Sequence, residues 1–503
     1  MPTGQPESQK AGQPESQTAG KPESESAEAQ FRRGRLTKLA ELGIPAYAYN
    51  WQRTHSAAEV IAGFERFEAE KTAVSLAGRL LSRREHGKTQ FGHIQDASGK
   101  IQLYLRKDTL GDEAFSRLEL LDIGDMVGVR GEVFKTRTGE ISIHVKELAL
   151  LAKSLRPMPE KFHGLKDVEI RYRQRYVDLL SNPESAVAFR LRTRLVSLVR
   201  QFLDARGFLE VETPILQPLY GGAAAQPFET LYNVLDQKMF LRISNELYLK
   251  RLIVGGLERV YEVGKDFRNE GLDRTHSPEF TQMECYQAYA DYSDVMQMVE
   301  ELFRFLAQEL TGGTKVLFGG HELDFGQPWQ RVKFVDSLAA KIEADPLSLS
   351  DAMLAKVAAR FGVQTKEDTS RAKLLDKLFS ELIQDQLVQP TFVMDHPKVT
   401  CPLAKTHRAN PELVERFEPV ICGMELGNAF SELNDPLEQR KRFEDQIAHN
   451  EEFATLDEDY CTALEYGMPP TGGLGLGIDR MVMLFSGHDS IRDVILFPQL
   501  RPT

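Results

Sequence analysis

The chain has 503 residues, 42% of them hydrophobic and 27% charged, enough material for two or three cores. A formal net charge of -12 excludes a general nucleic-acid coat protein, so any RNA-facing surface must be local. Cys285, Cys401, Cys422 and Cys461 show no CxxC spacing, and no apolar run approaches a membrane span or a signal-peptide core. These features predict neither a zinc cage nor a disulfide framework, in a reducing, cytoplasmic protein with no membrane partner.

Residues 1–30 lack Phe, Trp, Tyr, Leu, Ile and Val and repeat an octet: GQPESQKA from Gly4, GQPESQTA from Gly12, GKPESESA from Gly20. Such a segment cannot bury enough to offset its ordering entropy, which predicts a disordered tail. From Val74 to Leu151 the pattern turns to short alternating runs separated by turn signals such as Ser98-Gly99 and Thr138-Gly139, predicting a small Greek-key barrel. The stretch Asp108–Leu121 reads as a helix between the third and fourth strands, as in an OB-fold. The first folded region is therefore 31–152, an N-terminal helix followed by the barrel. A connector containing Pro and Lys fills 153–170.

The larger region, 171–503, opens with a predicted helix from Glu184 to Arg206, a stop at Gly207, and a strand FLEVETP ending at Pro214. Residues 259–289 read as a hairpin that places Arg268 and Glu270 on one face. On its partner strand Phe280, Gln282, Glu284 and Tyr286 share a face. Taken alone, this fits a solvated antiparallel face with cross-strand ion pairs as well as it fits a binding floor. Helical periodicity dominates 329–389 and predicts an inserted helical segment.

Glu418 and Glu425 flank a two-residue turn at Cys422-Gly423, which would bring them near one another and suit a shared Mg2+, although acidic pairs on edge strands are common. In ELGNAFSEL, alternation projects Asn428, Phe430 and Glu432 together. Gly473, Gly475 and Gly477 leave one strand face bare and open to a flat ligand, with Arg480 in the first turn of the following helix. Tight helix-on-sheet packing would use the same glycines.

The strand Phe208–Pro214, the FRNEG...HSPEF hairpin and GLGLGIDR resemble motifs 1, 2 and 3 of class II aminoacyl-tRNA synthetases. GGAAAQPF, ELYLKRLIVGG, GNAFSELNDP and IRDVILFP resemble the bacterial-type lysyl branch of that class. The resemblance runs from Val74 to the C-terminus. It implies an α+β protein: an N-terminal OB-fold β-barrel plus a class II synthetase catalytic domain, with an antiparallel sheet flanked by helices.

The resemblance also implies roles. Arg268 contacts the ATP α-phosphate and the amino-acid carboxylate. Phe280 and Glu270 take the adenine, His276 and Arg480 the distal phosphates, and Glu418 with Glu425 the Mg2+. For L-lysine, Glu246 and the Gly222 backbone take the α-ammonium, and Asn428 shares the carboxylate. Glu284, Tyr286 and Glu432 receive the ε-ammonium, with Phe430 beside them. In the barrel, Phe91 stacks on the central anticodon base of tRNA(Lys), with Arg84, Gln102 and Glu140 as reading partners. Motif 1 implies a homodimer.

Ser277, Gln226 and Met424 depart from the family pattern, which bears on adenine contacts and loop closure. Two other readings compete. A relative that lysylates a protein lacks an anticodon-binding domain, and this chain has one. A non-catalytic paralogue would have lost Arg268, Arg480 or an acidic Mg2+ ligand, and all are present.

Overall fold

A computed structural model describes residues 26–158, 165–366, 369–448 and 453–502. The predicted tail lies outside these residues up to position 25. Positions 27–30, expected in the tail, instead form the first turn of the helix Ala27–Glu41, because Ser26 Oγ accepts from the Ala29 N–H and supplies an N-cap. The chain divides into two compact units at 164/165.

In the first unit, β1 (Ala73–His86), β2 (Thr89–Gln95), β3 (Lys100–Arg106), β4 (Met126–Lys135) and β5 (Ile141–Ala152) close into a barrel in the order β1-β2-β3-β5-β4. Alternation explains it. Leu103, Val127, Val129, Ile143 and Val145 point inward and are fully buried, while their neighbours face outward. Gly78 lets β1 cross close to β2, since a Cβ there would lie 2.6 Å from the Gln95 carbonyl oxygen.

The single helix expected over 108–121 is broken into Lys107–Leu110, Asp112–Arg117 and a 3-10 turn, Leu118–Leu120. Gly111, at φ +83°, interrupts it. The expected linker is also shorter than 153–170. Lys153 is buried with its Nζ 2.6 Å from Asp122 Oδ2 and 2.8 Å from Asp125 Oδ2, so the chain is still part of the barrel unit there. At the far end, Asp167 caps the helix Val168–Arg173.

The second unit contains the remaining strands. In chain order these are β6 (Leu209–Glu210), β7 (Leu216–Gln217), β8 (Glu229–Tyr232), β9 (Gln237–Leu241), β10 (Arg259–Phe267), β11 (Glu279–Ala288), β12 (Lys315–Phe318), β13 (His321–Asp324), β14 (Gln330–Lys333) and β15 (Thr391–Pro397). They are followed by β16 (Leu413–Ile421), β17 (Met424–Glu425), β18 (Gly427–Ser431) and β19 (Thr471–Gly477). The main sheet runs β14-β15-β16-β18-β19-β11-β10-β6, with β17 also on β16.

Its centre is antiparallel as expected, but the outer pairs β14–β15 and β10–β6 are parallel. A parallel neighbour requires a crossover, and both crossovers contain helix. The helical periodicity of 329–389 belongs to one of them. Phe334–Ile342, Asp351–Arg360 and Arg371–Leu382 join β14 to β15 and pack Phe334, Leu375 and Phe379 against Val393 and Val420 of the sheet. The FLEVETP strand is shorter than predicted. Leu209 and Glu210 pair with β10 and the Val211 N–H still donates to the Tyr261 carbonyl at 2.9 Å, but beyond it the Glu262 carboxylate takes the Thr213 N–H and hydroxyl at 3.1 and 2.7 Å, and Pro214 has no donor.

The amphipathic helices Ser185–Asp204, Tyr292–Thr311 and Ile478–Ser486 bury their apolar stripes, including Leu198, Phe303 and Val482, on one face of the sheet. The opposite face of its central strands carries the site.

Candidate active site and RNA-facing surface

The centre of the site is a three-strand register. Glu284 on β11 stands opposite Gly475 on β19, which stands opposite Asn428 on β18. Two residues along, Tyr286, Gly473 and Phe430 form the next row. Close approach requires the glycine at 473, where a Cβ would strike the Glu432 carboxylate and the Tyr286 ring; one at 475 would lie 2.7 Å from Gln282 Nε2 and displace that side chain's end. With that strand bare, the sheet floor forms a cavity of about 230 Å3 lined by Arg268, Glu270, His276, Phe280, Asn428 and Arg480.

Arg268 lies just beyond β10, in the loop, and not on the strand itself. Its N–H donates to the Pro278 carbonyl at 2.9 Å, and its guanidinium carbon stands 5.1 Å from the Phe280 ring centre. Arg480 sits in the first turn of the helix Ile478–Ser486. It donates to the Glu425 carbonyl and its Nη2 is 3.2 Å from His276 Nε2, while Asp273 holds the other face of that imidazole at 2.9 Å. Ser277, one of the departures from the family pattern, also lines the cavity.

Next to this cavity, beyond Gln282 and Gly475, lies a buried acidic cluster. Glu246, at the first position of the helix Glu246–Val254, Glu284 and Glu432 are 6%, 3% and 1% exposed. Glu284 accepts from Ser244 Oγ and Gln282 Nε2, both at 2.9 Å, and from the Tyr286 hydroxyl at 3.2 Å. Burial, together with the charges of Asp266 and Glu246, pushes Glu284 up to about 8. Burial also raises Glu246 and Glu432, against the pull of the Lys250 ammonium.

That ammonium is fully buried, 2.5 Å from Glu246 Oε1 and in contact with Glu432, and lies 5.3 Å from the centre of the buried Phe430 ring. Asn428 Oδ1 accepts from Arg416 Nε at 2.8 Å, which leaves the amide NH2 as the free end. Gly222 holds φ +88° with its Cα against Ser244 and Glu246, where a Cβ would come within 2.8 Å of Ser244 Oγ.

Glu418 and Glu425 are brought together by the expected turn. Cys422 and Gly423 both have positive φ, 49° and 73°, and Val420 faces Glu425 across it. Glu418 accepts from Arg416 Nη2 at 2.5 Å, yet burial, with added repulsion from Glu425 and Asp376, pushes it up to about 8. Asp376, on the helix Arg371–Leu382, is pushed to about 6 by burial and by Glu425. Crowded carboxylates of this kind fit a divalent cation. Among the described residues no three His, Cys, Asp or Glu side chains form a preformed cage.

In the barrel unit, Arg84 faces Phe91 across β1–β2, and the Phe91 ring lies 4.9 Å from Tyr104 on β3. Gln102 Nε2 donates to Glu140 at 2.6 Å, His93 reaches the other oxygen at 2.8 Å, and Ser142 donates to Gln102 Oε1 at 2.7 Å. Sequence reasoning left out Tyr104, His93 and Ser142, although period-two alternation puts the first two on the outward face. It also passed over Lys250, Arg416 and Asp376. Only Lys250 carried a signal, its i+4 spacing from Glu246.

Residues 167–501 match the family described as tRNA synthetases class II (D, K and N), and residues 74–151 match the OB-fold nucleic acid binding domain. The chain belongs to the class II tRNA synthetases of this D, K and N group. Within the group it is similar to proteins named lysine-tRNA ligase. The one from Roseiflexus sp. (strain RS-1) is 52% identical over 480 residues, 94% of this chain and 98% of that protein. That of Carboxydothermus hydrogenoformans is 50% identical over 94% of this chain and 97% of its own length. That of Aquifex aeolicus is 54% identical over 85% and 73%.

Proposed function

We propose that the chain is a lysine-tRNA ligase: it activates L-lysine with ATP to lysyl-adenylate, releasing pyrophosphate, and transfers lysine to the 3' end of tRNA(Lys). The observation that carries this reading is the set of three buried carboxylates, Glu246, Glu284 and Glu432, joined through Glu284 to Gln282 and Gly475 of a cavity whose lining includes the Arg268 guanidinium. A dicationic amino acid matches that set, and a neutral or acidic analogue would leave its carboxylates unpaired.

The lysine carboxylate is already ionised and attacks the α-phosphorus in line, so no general base is needed. Arg268 offsets the repulsion between the two anions and the charge gathering on the phosphoryl oxygens. Phe280 and Glu270 take the adenine, and His276 with Arg480 the distal phosphates. Asn428, its oxygen committed to Arg416, donates through its NH2 to the lysine carboxylate. Glu246 and the Gly222 backbone take the α-ammonium, and Glu284, Tyr286 and Glu432 the ε-ammonium. Mg2+, held by Glu418 and Glu425, would supply positive charge to the phosphates. In the barrel, Phe91 stacks on the central anticodon base, and Arg84, Gln102 and Glu140 read the edges around it.

The protein works as a cytoplasmic homodimer. Leu209, Leu216, Leu231, Val234 and Leu235 are more than half exposed on the motif 1 segment and the small β7-β9-β8 sheet, an apolar surface that a second copy would cover. Gel filtration giving only a ~57 kDa species would contradict the dimer. The reaction is tested by ATP-pyrophosphate exchange with each of the twenty amino acids. Exchange with lysine alone is expected, and exchange with aspartate or asparagine, or with none, rules the reading out.

A further inference from the structure

The helix Glu246–Val254 brings a cation of its own to the buried carboxylate cluster. Lys250 lies one helical turn after Glu246, and its side chain has no exposed surface. Its ammonium stands 2.5 Å from Glu246 Oε1 and also touches Glu432, so one charge joins a carboxylate from a helix to a carboxylate that follows β18. The remaining neighbours are Phe430 at 5.3 Å and Tyr460 at 6.0 Å, aromatic faces that favour a cation between them.

The ammonium meets two buried carboxylates, Glu246 and Glu432, and Glu284 adds a third beside Glu432, so the cluster is short of positive charge. A lysine substrate carries two further ammonium groups, so the occupied pocket would hold three cations against three anions. Without the internal cation, Glu246 and Glu432 would face each other and Glu284 with no counter-charge and would be held neutral by burial. They would also lose the link that fixes their separation.

We propose, on the reading that lysine is the substrate, that Lys250 is a positioning residue that determines lysine affinity. It ties Glu246 to Glu432, biases both toward the ionised form, and sets the spacing at which they receive the substrate's two ammonium groups. The groups facing this cluster are Glu246 on its own helix, Glu284 and Tyr286 from β11, Glu432 after β18, Tyr460 from the helix Glu458–Glu465, Arg416, which acts on Glu246, Cys401, on which Glu246 acts, and Asp266, which acts on Glu284. Lys250 and Arg416 are the two cations among them. Arg416 is committed to Asn428 and Glu418, which leaves Lys250 as the direct partner of the lysine-site carboxylates.

The test is the variant Lys250→Met, which keeps the length of the side chain and removes the charge, in lysine-dependent pyrophosphate exchange. The lysine KM should rise about tenfold or more at pH 7 with the ATP KM within about twofold of wild type, and the gap should narrow as rising pH ionises the unpaired carboxylates. Any other pattern in a folded variant overturns the proposal. That includes an unchanged lysine KM, or a parallel loss for both substrates that pH does not relieve.

Should Lys250→Met fail to fold, nitrogen-15 NMR of the lysine ammonium groups in the wild-type enzyme decides the question. The protected Lys250 signal should shift on adding L-lysine and stay in place on adding ATP. A signal indifferent to L-lysine overturns the proposal. Wild-type enzyme with no lysine exchange at all would instead remove the reading of function on which this inference rests.

Discussion

The two ligand-facing surfaces of this chain are built on opposite physical terms. In the barrel, Phe91 packs against Tyr104 on the outward face of a closed sheet, and Gln102 donates to Glu140 at the edge of solvent. In the catalytic unit, Glu246, Glu284 and Glu432 are almost wholly removed from water, and burial opposes their ionisation. A half-exposed stacking face discriminates by modest increments, since water competes for every contact. A dry acidic end discriminates steeply, because a wrong ligand leaves charges with no partner.

Substitutions should therefore divide by surface. The largest effect is expected at the mouth of the catalytic cavity: Arg268→Ala should lower lysine-dependent pyrophosphate exchange by about 10^3-fold, the scale of losing a preorganised electrostatic donor. Activity near wild type would show that the guanidinium does not meet the reacting anions. Next, Glu432→Gln should raise the lysine KM by about 10^2-fold and leave the ATP KM unmoved, because it removes an anion from the dry end. Steady-state exchange with each substrate varied in turn reads this, and a matching rise for ATP would mean general damage to the site.

Phe91→Ala should reduce tRNA charging by about 10- to 100-fold, the value of one stacked base, with pyrophosphate exchange untouched. Equal loss of both activities would abolish the proposed separation between the two surfaces. The smallest effect is on pH. Glu284 is raised to about 8 in the free site, so below that pH it carries a proton that a bound ammonium must displace. The lysine KM should fall as pH rises toward 8 and then level, by up to about tenfold per pH unit for the one proton released. The same shift has a sign for stability: the folded carboxyl keeps its proton where the unfolded one has lost it, so folding is favoured below the unfolded value and weakens as pH rises through about 8. Glu284→Gln should flatten a thermal-denaturation profile over that range.

The sequence carried the sheet floor well because its code is local. Alternation in ELGNAFSEL and the spaced glycines put Asn428, Phe430 and Gly475 on adjoining strands, and Cys422-Gly423 specified its own turn. What it concealed depended on distant partners. Asp376 reaches the Glu418–Glu425 pair from a crossover helix, and Arg416 joins that pair to Asn428. The strand before Pro214 ends early because Glu262, far along the chain, takes the Thr213 donors. Gly111 breaks a helix that composition alone favoured, and Ser26 starts one inside a polar repeat. In these places a distant partner, a local cap or a single backbone angle outweighed the average character of the segment.

Gly473 also limits how this pocket could diversify. The smallest side chain at that position would collide with both Glu432 and Tyr286, so no enlargement of the β19 floor is accessible while those two residues stay in place. A side chain can therefore enter the β19 floor only together with a change at Glu432 or Tyr286, which couples these three positions: their substitutions should be non-additive.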